Sequence, residues 1–307
     1  MKKIIYLFGV LLFLGGCAND KKNETKNNDI KSNKKVSNVR SDKQLNITIL
    51  LDLSDRIEPT KYPNKPEHFE RDIEIVDYFT EVFKKDMENK GAFMANGKMK
   101  VIFSPRPKDE EINQIASELS VDLSSTNNTK EKKQIFDNVS SNFRKNLERI
   151  YSKTIETKNY PGSDIWRFFK NDVFDYAIAE NKDYRNILVI LTDGYLFHKD
   201  SKDKDANRSM SLLPRNIKEN GFRSSNWRDK FENGDYGYIS TRDDLENLDI
   251  LVLEISPSPQ DKDDEDVIKA YLTKWFNEMN VNKFELYNTD LPEYTKTRIS
   301  KFINNNQ

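Results

Sequence analysis

The sequence predicts an α/β domain: a doubly wound, mostly parallel sheet with helices on both faces. Three observations predict it. Four short apolar runs are β-branched and near-continuous, as strands covered on both faces require. Amphipathic stretches of helical period alternate with those runs, the pattern of a parallel sheet with crossover helices. Carboxylates stand at the ends of the first and third runs, where a doubly wound sheet places its ligands.

Composition narrows the remaining classes. The 307 residues carry 50 Lys and Arg against 51 Asp and Glu, with two His and one Cys. A polytopic membrane protein is excluded, because each spanning helix needs about 20 consecutive apolar residues. The 18 Phe, 13 Tyr and 3 Trp supply core material and argue against disorder throughout. A net charge of −1 gives no bulk attraction to nucleic acid, so no nucleic-acid partner is expected. One Cys and two His exclude a disulfide framework and a Cys/His zinc site. A metal here must be held by oxygen.

The N-terminus has its own pattern. Lys2 and Lys3 precede an unbroken apolar and glycine run from Ile4 to Leu14, closed by Gly15-Gly16-Cys17. The order basic, apolar, small is that of a signal peptide, and the run is too short to span as a mature helix. Small residues before a Cys resemble the lipobox of bacterial lipoproteins. The resemblance implies that residues 1–16 are removed and that Cys17 becomes the lipidated first residue, an anchor in the cell envelope. Residues 18–43 carry eight Lys or Arg, four acids and few large apolar side chains, which reads as a flexible tether. The folded domain is expected over 45–307, with insertions near 109–158 and 199–247.

Within that domain the first strand is Asn46–Leu53 (NITILLDL), and the amphipathic stretch Glu67–Glu88 follows it, with Phe69, Ile73, Val76, Phe79 and Phe83 at helical spacing. Met99–Ser104 (MKVIFS) is the second strand. Asp109–Lys158 is polar, with a helical pattern from Lys130 to Ile155. Ile165–Glu180 reads as a helix whose Trp166, Phe168 and Phe169 face the sheet. Asn186–Thr192 (NILVILT) is the third strand. Lys199–Asn247 mixes charges, glycines and aromatics with no long periodic run. Leu248–Ile255 (LDILVLEI) is the fourth strand, and Lys283–Tyr287, more polar, suits an edge. Helical patterns over Asp263–Met279 and Leu291–Ile303 flank it, the acids of Asp261–Asp266 falling in the first turn of the former, where the helix dipole favours them.

The first strand ends in Asp52-Leu53-Ser54-Asp55-Arg56, placing a carboxylate and a hydroxyl two residues apart on the same side. Thr192-Asp193-Gly194 ends the third strand. Pro161-Gly162-Ser163-Asp164 precedes a helix, with one of Ser163 and Asp164 as its N-cap and the other free to face the rim. Two carboxylates and two hydroxyls from three loops suit a hard cation such as Mg²⁺. The order of these motifs resembles the von Willebrand factor type A (vWA) domain, a Rossmann-like fold with a metal-ion-dependent adhesion site. That site is built from Asp-x-Ser-x-Ser, a Thr in a second loop and an Asp in a third. The resemblance implies metal ligands at Asp52, Ser54, Ser163 in place of the Thr, and Asp193. It implies Mg²⁺, Mn²⁺ or Ca²⁺ as cofactor, and an envelope or extracellular protein as partner. Asp55, Arg56, Asp164, Gly194 and Tyr195 surround these positions as partner-binding candidates, and the 199–247 segment would add specificity.

The sequence departs from the vWA pattern at Arg56, which stands where the second Ser belongs. A guanidinium beside a divalent cation repels it by several kcal/mol, on the order of 4 kcal/mol at an effective dielectric of 20. Three alternatives stay open: Arg56 swings outward to an acidic partner, pairs with Asp55 or Asp164, or replaces the metal and neutralises Asp52 and Asp193. His68, beside Glu67 and Glu70, is expected at the surface. His198 lies near the rim without a nucleophile motif. The chain therefore reads as a binding module rather than an enzyme. The alternative is a metal-assisted, phosphoesterase-like hydrolase using Asp52 and Asp193.

Overall fold

All four apolar runs become strands of one six-stranded sheet. In the computed structural model, residues 43–257 and 263–304 are described. The leader 1–16, Cys17 and the tether up to residue 42 lie outside them. Strand β1 (Gln44–Leu51) leads through a 3₁₀ turn (Asp55–Ile57) to helix α1 (His68–Met94) and strand β2 (Lys98–Phe103). Helix α2 (Glu110–Ser117), strand β3 (Ser120–Asp122) and the 29-residue helix α3 (Thr129–Thr157) follow. A short α4 (Ile165–Arg167) runs through a π turn (Phe168–Asp172) into α5 (Val173–Ala177), and then strand β4 (Tyr184–Leu191). Beyond β4 come β5 (Lys204–Asp205), β6 (Arg208–Ser209), α6 (Pro214–Glu219), α7 (Trp227–Asn233) and β7 (Gly237–Tyr238). Strand β8 (Leu248–Ile255), α8 (Asp264–Glu278), β9 (Lys283–Asn288) and α9 (Pro292–Asn304) complete the described chain.

The sheet order is β3-β2-β1-β4-β8-β9, and every pair is parallel except β2 with β3. From β1 the chain first builds outward through β2 to β3, then returns to add β4, β8 and β9 on the other side. Strand order therefore reverses between β1 and β4, and a crevice opens there beyond the strands' carboxyl ends. Polar β9 forms an edge, as its composition requires. The other edge, β3, is only three residues, Ser120, Val121 and Asp122, too short for a hydrophobic pattern to read.

Alternate side chains of the central strands go to opposite faces. Ile47, Ile49 and Leu51 of β1 join Phe79 and Phe83 of α1, Leu147 of α3 and Ile299 of α9 in one buried layer. Leu50, Ile190 and Val252 join Phe168, Phe169, Ile268 and Trp275 in the other. Helices thus cover both faces, and Trp166, Phe168 and Phe169 are core, as expected. The Ile165–Glu180 pattern is not one regular helix. It contains the π turn and ends at Ala177, because Asn46 Nδ2 and Thr48 Oγ1 of β1 donate to the carbonyls of Ala177 and Tyr176. Helix α1 runs past Glu88 and breaks at Gly91 (φ 75°).

The 199–247 segment, featureless in periodicity, builds its own small sheet in the order β5-β6-β7. Aromatic edges hold it to α8. Tyr238 and Tyr271 meet at 5.2 Å between ring centroids, and Phe231 and Tyr271 at 5.1 Å. Arg208 joins Asp235 and Glu278 across the same seam. Among the described residues no helix is long and apolar enough to cross a membrane.

Candidate functional site

The strand ends at the β1–β4 crevice set the position of each rim residue. Leu51 and Leu191 are the last residues of their strands, so Asp52 and Thr192 lie one residue beyond. The ladder continues to both of them: Asp52 N donates to Leu191 O at 3.1 Å and Thr192 N to Leu253 O at 3.2 Å. The Asp52 carboxylate is buried and ties the two loops together. Its Oδ1 accepts from Ser54 N at 2.8 Å, and its Oδ2 accepts from Thr192 Oγ1 at 2.8 Å. An ionised carboxylate offers about four acceptor positions, so these two bonds leave capacity on the same oxygens.

The 3₁₀ turn after Ser54 carries Arg56 inward, and this overturns two of the sequence alternatives. Arg56 neither swings out nor pairs with Asp55 or Asp164. It is 2% exposed and forms an ion pair with Asp72 of α1, itself 0% exposed. Arg56 Nε also donates to the Asp52 carbonyl at 3.1 Å, and Nη2 to the Leu191 carbonyl at 3.4 Å. Tyr151 of α3 donates its hydroxyl to Asp72 Oδ2 at 2.7 Å. Burial works against the guanidinium's charge, but Asp72 and then Asp52 hold its pKa above the ordinary value. Asp55 pairs instead with Lys61. The third alternative changes as well: Arg56 neutralises Asp72 directly, and reaches the Asp52 and Asp193 carboxylates only through its field.

Asp164 is the N-cap of α4, and it too is committed within the protein. Its Oδ1 accepts from Ser201 Oγ at 2.6 Å and from Arg167 N at 3.4 Å, while Oδ2 lies 3.1 Å from His198 Nδ1. Ser163 is the residue left facing the rim. Its N donates to Phe197 O at 3.1 Å, and its buried Oγ has no hydrogen-bond partner.

Asp193 opens the third loop, with Oδ1 accepting from Tyr195 N at 2.9 Å. Burial, and then the charge of Asp52, push its carboxyl up to about 7. Gly194 follows at φ +96°, and a Cβ there would lie 2.5 Å from Ile268 Cγ2, so the glycine permits both the turn and the close approach of α8. The Tyr195 hydroxyl donates to Asp264 Oδ2 at 3.0 Å. Ser54, Asp55, Arg56, Ser163, Asp193 and Tyr195 share one cleft of about 960 Å³, and buried Asp52 joins it through Ser54 and Thr192.

His68 corrects an expectation. It is buried at 8% exposure and, as the first residue of α1, lines this cleft. Burial, then Arg56 and Arg71, lower its pKa to about 4. Asp72, Tyr151, Thr192 and Glu254 were given no role from sequence. Asp72 falls on the apolar stripe of α1 between Phe69 and Val76, the one signal that a buried cation would meet it. Glu254 is the lone acid near the end of a buried strand, at φ 68°, and burial pushes its carboxyl up to about 7. It accepts from Thr289 Oγ1 beneath the rim.

Among the described residues no group of three or more His, Cys, Asp or Glu side chains is placed to hold a metal ion. The rim set belongs to another donor class, two carboxylates and two hydroxyls, which suits a cation that retains several waters. Three observations fit it: the unpartnered Ser163 Oγ, the raised Asp193, and the consumption of Arg56's charge by Asp72.

No protein-family profile and no curated protein matches the chain. Among solved structures it is similar to proximal thread matrix protein 1 from the mussel byssus (crystal form 2), at 12% identity and a TM-score of 0.33. The alignment covers 86% of this chain and 48% of that one, so the chain spans about half that protein's length. No property is carried over from a likeness of that size.

Proposed function

We propose that this chain is a cell-envelope lipoprotein, anchored through Cys17, whose vWA-like head binds a protein partner at the β1–β4 rim. Asp52, Ser54, Ser163 and Asp193 would hold a divalent cation there, Mg²⁺ or Mn²⁺, or Ca²⁺. One observation carries this reading: Arg56 is neutralised by Asp72, so the repulsion expected from a guanidinium in the second Ser position is largely cancelled. Asp52 and Asp193 would then share a site with the two hydroxyls. A bound cation supplies an open coordination position for an acidic side chain of the partner.

The protein's own groups organise the rest of the surface. Asp55, Gly194 and Tyr195 border the rim and offer contacts to the partner. Arg56 and Asp164, both buried, act from beneath by fixing the Ser54 and Ser163 loops. Thr192 keeps the Asp52 carboxylate aimed between the strands. The test is site-directed cross-linking in cells with a photoreactive residue at Asp55 or Tyr195. Cross-links to an envelope protein that vanish on chelation and on Asp193→Ala support the reading. Cross-links unchanged by both move the interface elsewhere. Turnover of a phosphoester with Mg²⁺, lost on Asp52→Asn, would assign the rim to the hydrolase alternative.

A further inference from the structure

Beside the rim cleft lies a second cavity of about 370 Å³, whose lining includes Arg106, Lys108, Tyr160, Gly162, His198 and Lys199. It contains no carboxylate. Arg106, Lys108 and Lys199 are exposed, and among the described residues none of the three makes an ion pair. The guanidinium of Arg106 is oriented by its Nε, which donates to Asn113 Oδ1 at 2.9 Å. In a chain of balanced charge, three unpaired cations around one concavity form a local positive field.

The cavity has a built floor. Gly162 sits at φ +93°, and a Cβ there would lie 3.2 Å from the Phe197 carbonyl, so the glycine lets the 160–163 and 197–199 loops close on each other. Backbone bridges from Leu53 to Gly162 and from Ser163 to Phe197 lock that arrangement. His198 is held from behind. Its Nδ1 lies 3.1 Å from the buried Asp164 Oδ2 and accepts from Asp200 N at 3.3 Å. The other ring nitrogen, Nε2, has no hydrogen-bond partner among the described residues, and the adjacent Cδ2 is the ring atom nearest a Cβ built at Gly162.

The geometry points to a phosphate-monoester site: the cavity binds a phosphoryl group, carried by a small molecule or by a phosphorylated side chain. Three cations and an imidazole, in a lining without carboxylates, match a dianion better than a single carboxylate does. The acids Asp164 and Asp200 stand against His198 Nδ1 at 3.1 and 3.8 Å. The volume falls at the lower end of small-ligand sites and admits a phosphoryl group with a small organic body. The site stands apart from the cation reading, since it uses none of Asp52, Ser54, Ser163 or Asp193. It shares Tyr160, Gly162 and Phe197 with the rim cleft, so one partner can reach both.

The test is calorimetric titration of the full chain in detergent, low salt and EDTA. The probes are inorganic phosphate, a phosphoserine peptide, the same peptide unphosphorylated, and succinate. Phosphate and the phosphopeptide are expected to bind, and succinate and the bare peptide more weakly. Lys108→Ala with Lys199→Ala is expected to weaken phosphate by about tenfold or more, while Lys108→Arg with Lys199→Arg retains it. Both lysines are exposed, so an unchanged melting curve certifies the fold. Tighter binding of the phosphopeptide than of phosphate assigns a protein-borne phosphoryl group, and equal binding a free one. No phosphate binding, equal binding to the alanine variant, or succinate binding as tightly as phosphate would overturn the site. EDTA keeps this outcome separate from the fate of the cation reading.

Discussion

Arg56 and Asp72 form an ion pair in which both side chains are buried, one on the first rim loop and the other on the helix that crosses it. The pair neutralises the cation that stands where the pattern this sequence resembles has its second Ser. Tyr151 completes it by donating to the same carboxylate oxygen. The cleft then presents Asp55, Asp193, Ser54 and Ser163 beside a neutralised Arg56, with Lys61 and Lys158 also in its lining.

Breaking that pair from one side strands a buried carboxylate. Arg56→Ala is expected to cost about 3–5 kcal/mol of stability, whereas replacing both partners by apolar residues, Arg56→Met with Asp72→Leu, is expected to be near neutral. Urea unfolding at neutral pH measures both. An Arg56→Ala protein as stable as the parent would mean that the pair does not form.

The raised carboxyl of Asp193 makes a pH prediction of definite sign. Its folded value of about 7 lies above the ordinary 3.8, so ionisation opposes folding. The penalty is absent below the ordinary carboxylate range, grows as pH rises from about 4, and is complete above about 7. In EDTA at pH 8, Asp193→Asn is expected to stabilise on the order of 1 kcal/mol, a rise in Tm of about 2–4 °C. The gain should vanish as pH approaches 4, and a gain that grows on acidification would contradict the assignment.

Much of the fold was legible because buried parallel strands leave long apolar runs. Leu248–Ile255 was read to the residue, and β1, β2, β4 and β9 to within two residues at either end. What stayed hidden had no periodic signal: three-residue β3, the π turn inside α4–α5, and the three small strands after β4. At the site, Asp52, Ser54, Ser163 and Asp193 were visible because they sit next to strand and helix ends. The residues supporting them were not. Asp72 and Tyr151 lie 16 and 95 positions from Arg56, and only tertiary packing brings the three together. His68 is buried rather than exposed because it begins α1 where the helix meets the cleft, while the neighbouring glutamates suggest solvent.

Gly194 offers a local test of how closely α8 supports the third loop. Gly194→Ala places a Cβ 2.5 Å from Ile268 Cγ2 at a φ of +96°, and is expected to destabilise by about 2–4 kcal/mol. Thermal unfolding reads it directly. A neutral substitution would show that the loop relaxes without cost.

The anchor is tested by fractionation. Cys17→Ala is expected to leave the chain unlipidated, and among the described residues no helix is long and apolar enough to cross a membrane in its place. On the lipoprotein reading, acyl chains on Cys17, at about 0.8 kcal/mol per buried methylene, would hold the wild type to the membrane. A Cys17→Ala protein recovered wholly with membranes would refute the lipoprotein reading.

The divalent-cation site is tested most directly by calorimetry of the full chain with Mg²⁺ and Mn²⁺ across pH 5.5–8. The expected result is heat and a rise in Tm with at least one ion. Affinity should climb by up to about tenfold per pH unit as Asp193 loses its proton, then level off above about pH 7, and Asp193→Ala should abolish binding. Neither heat nor a shift in Tm with either ion at pH 8 would contradict it.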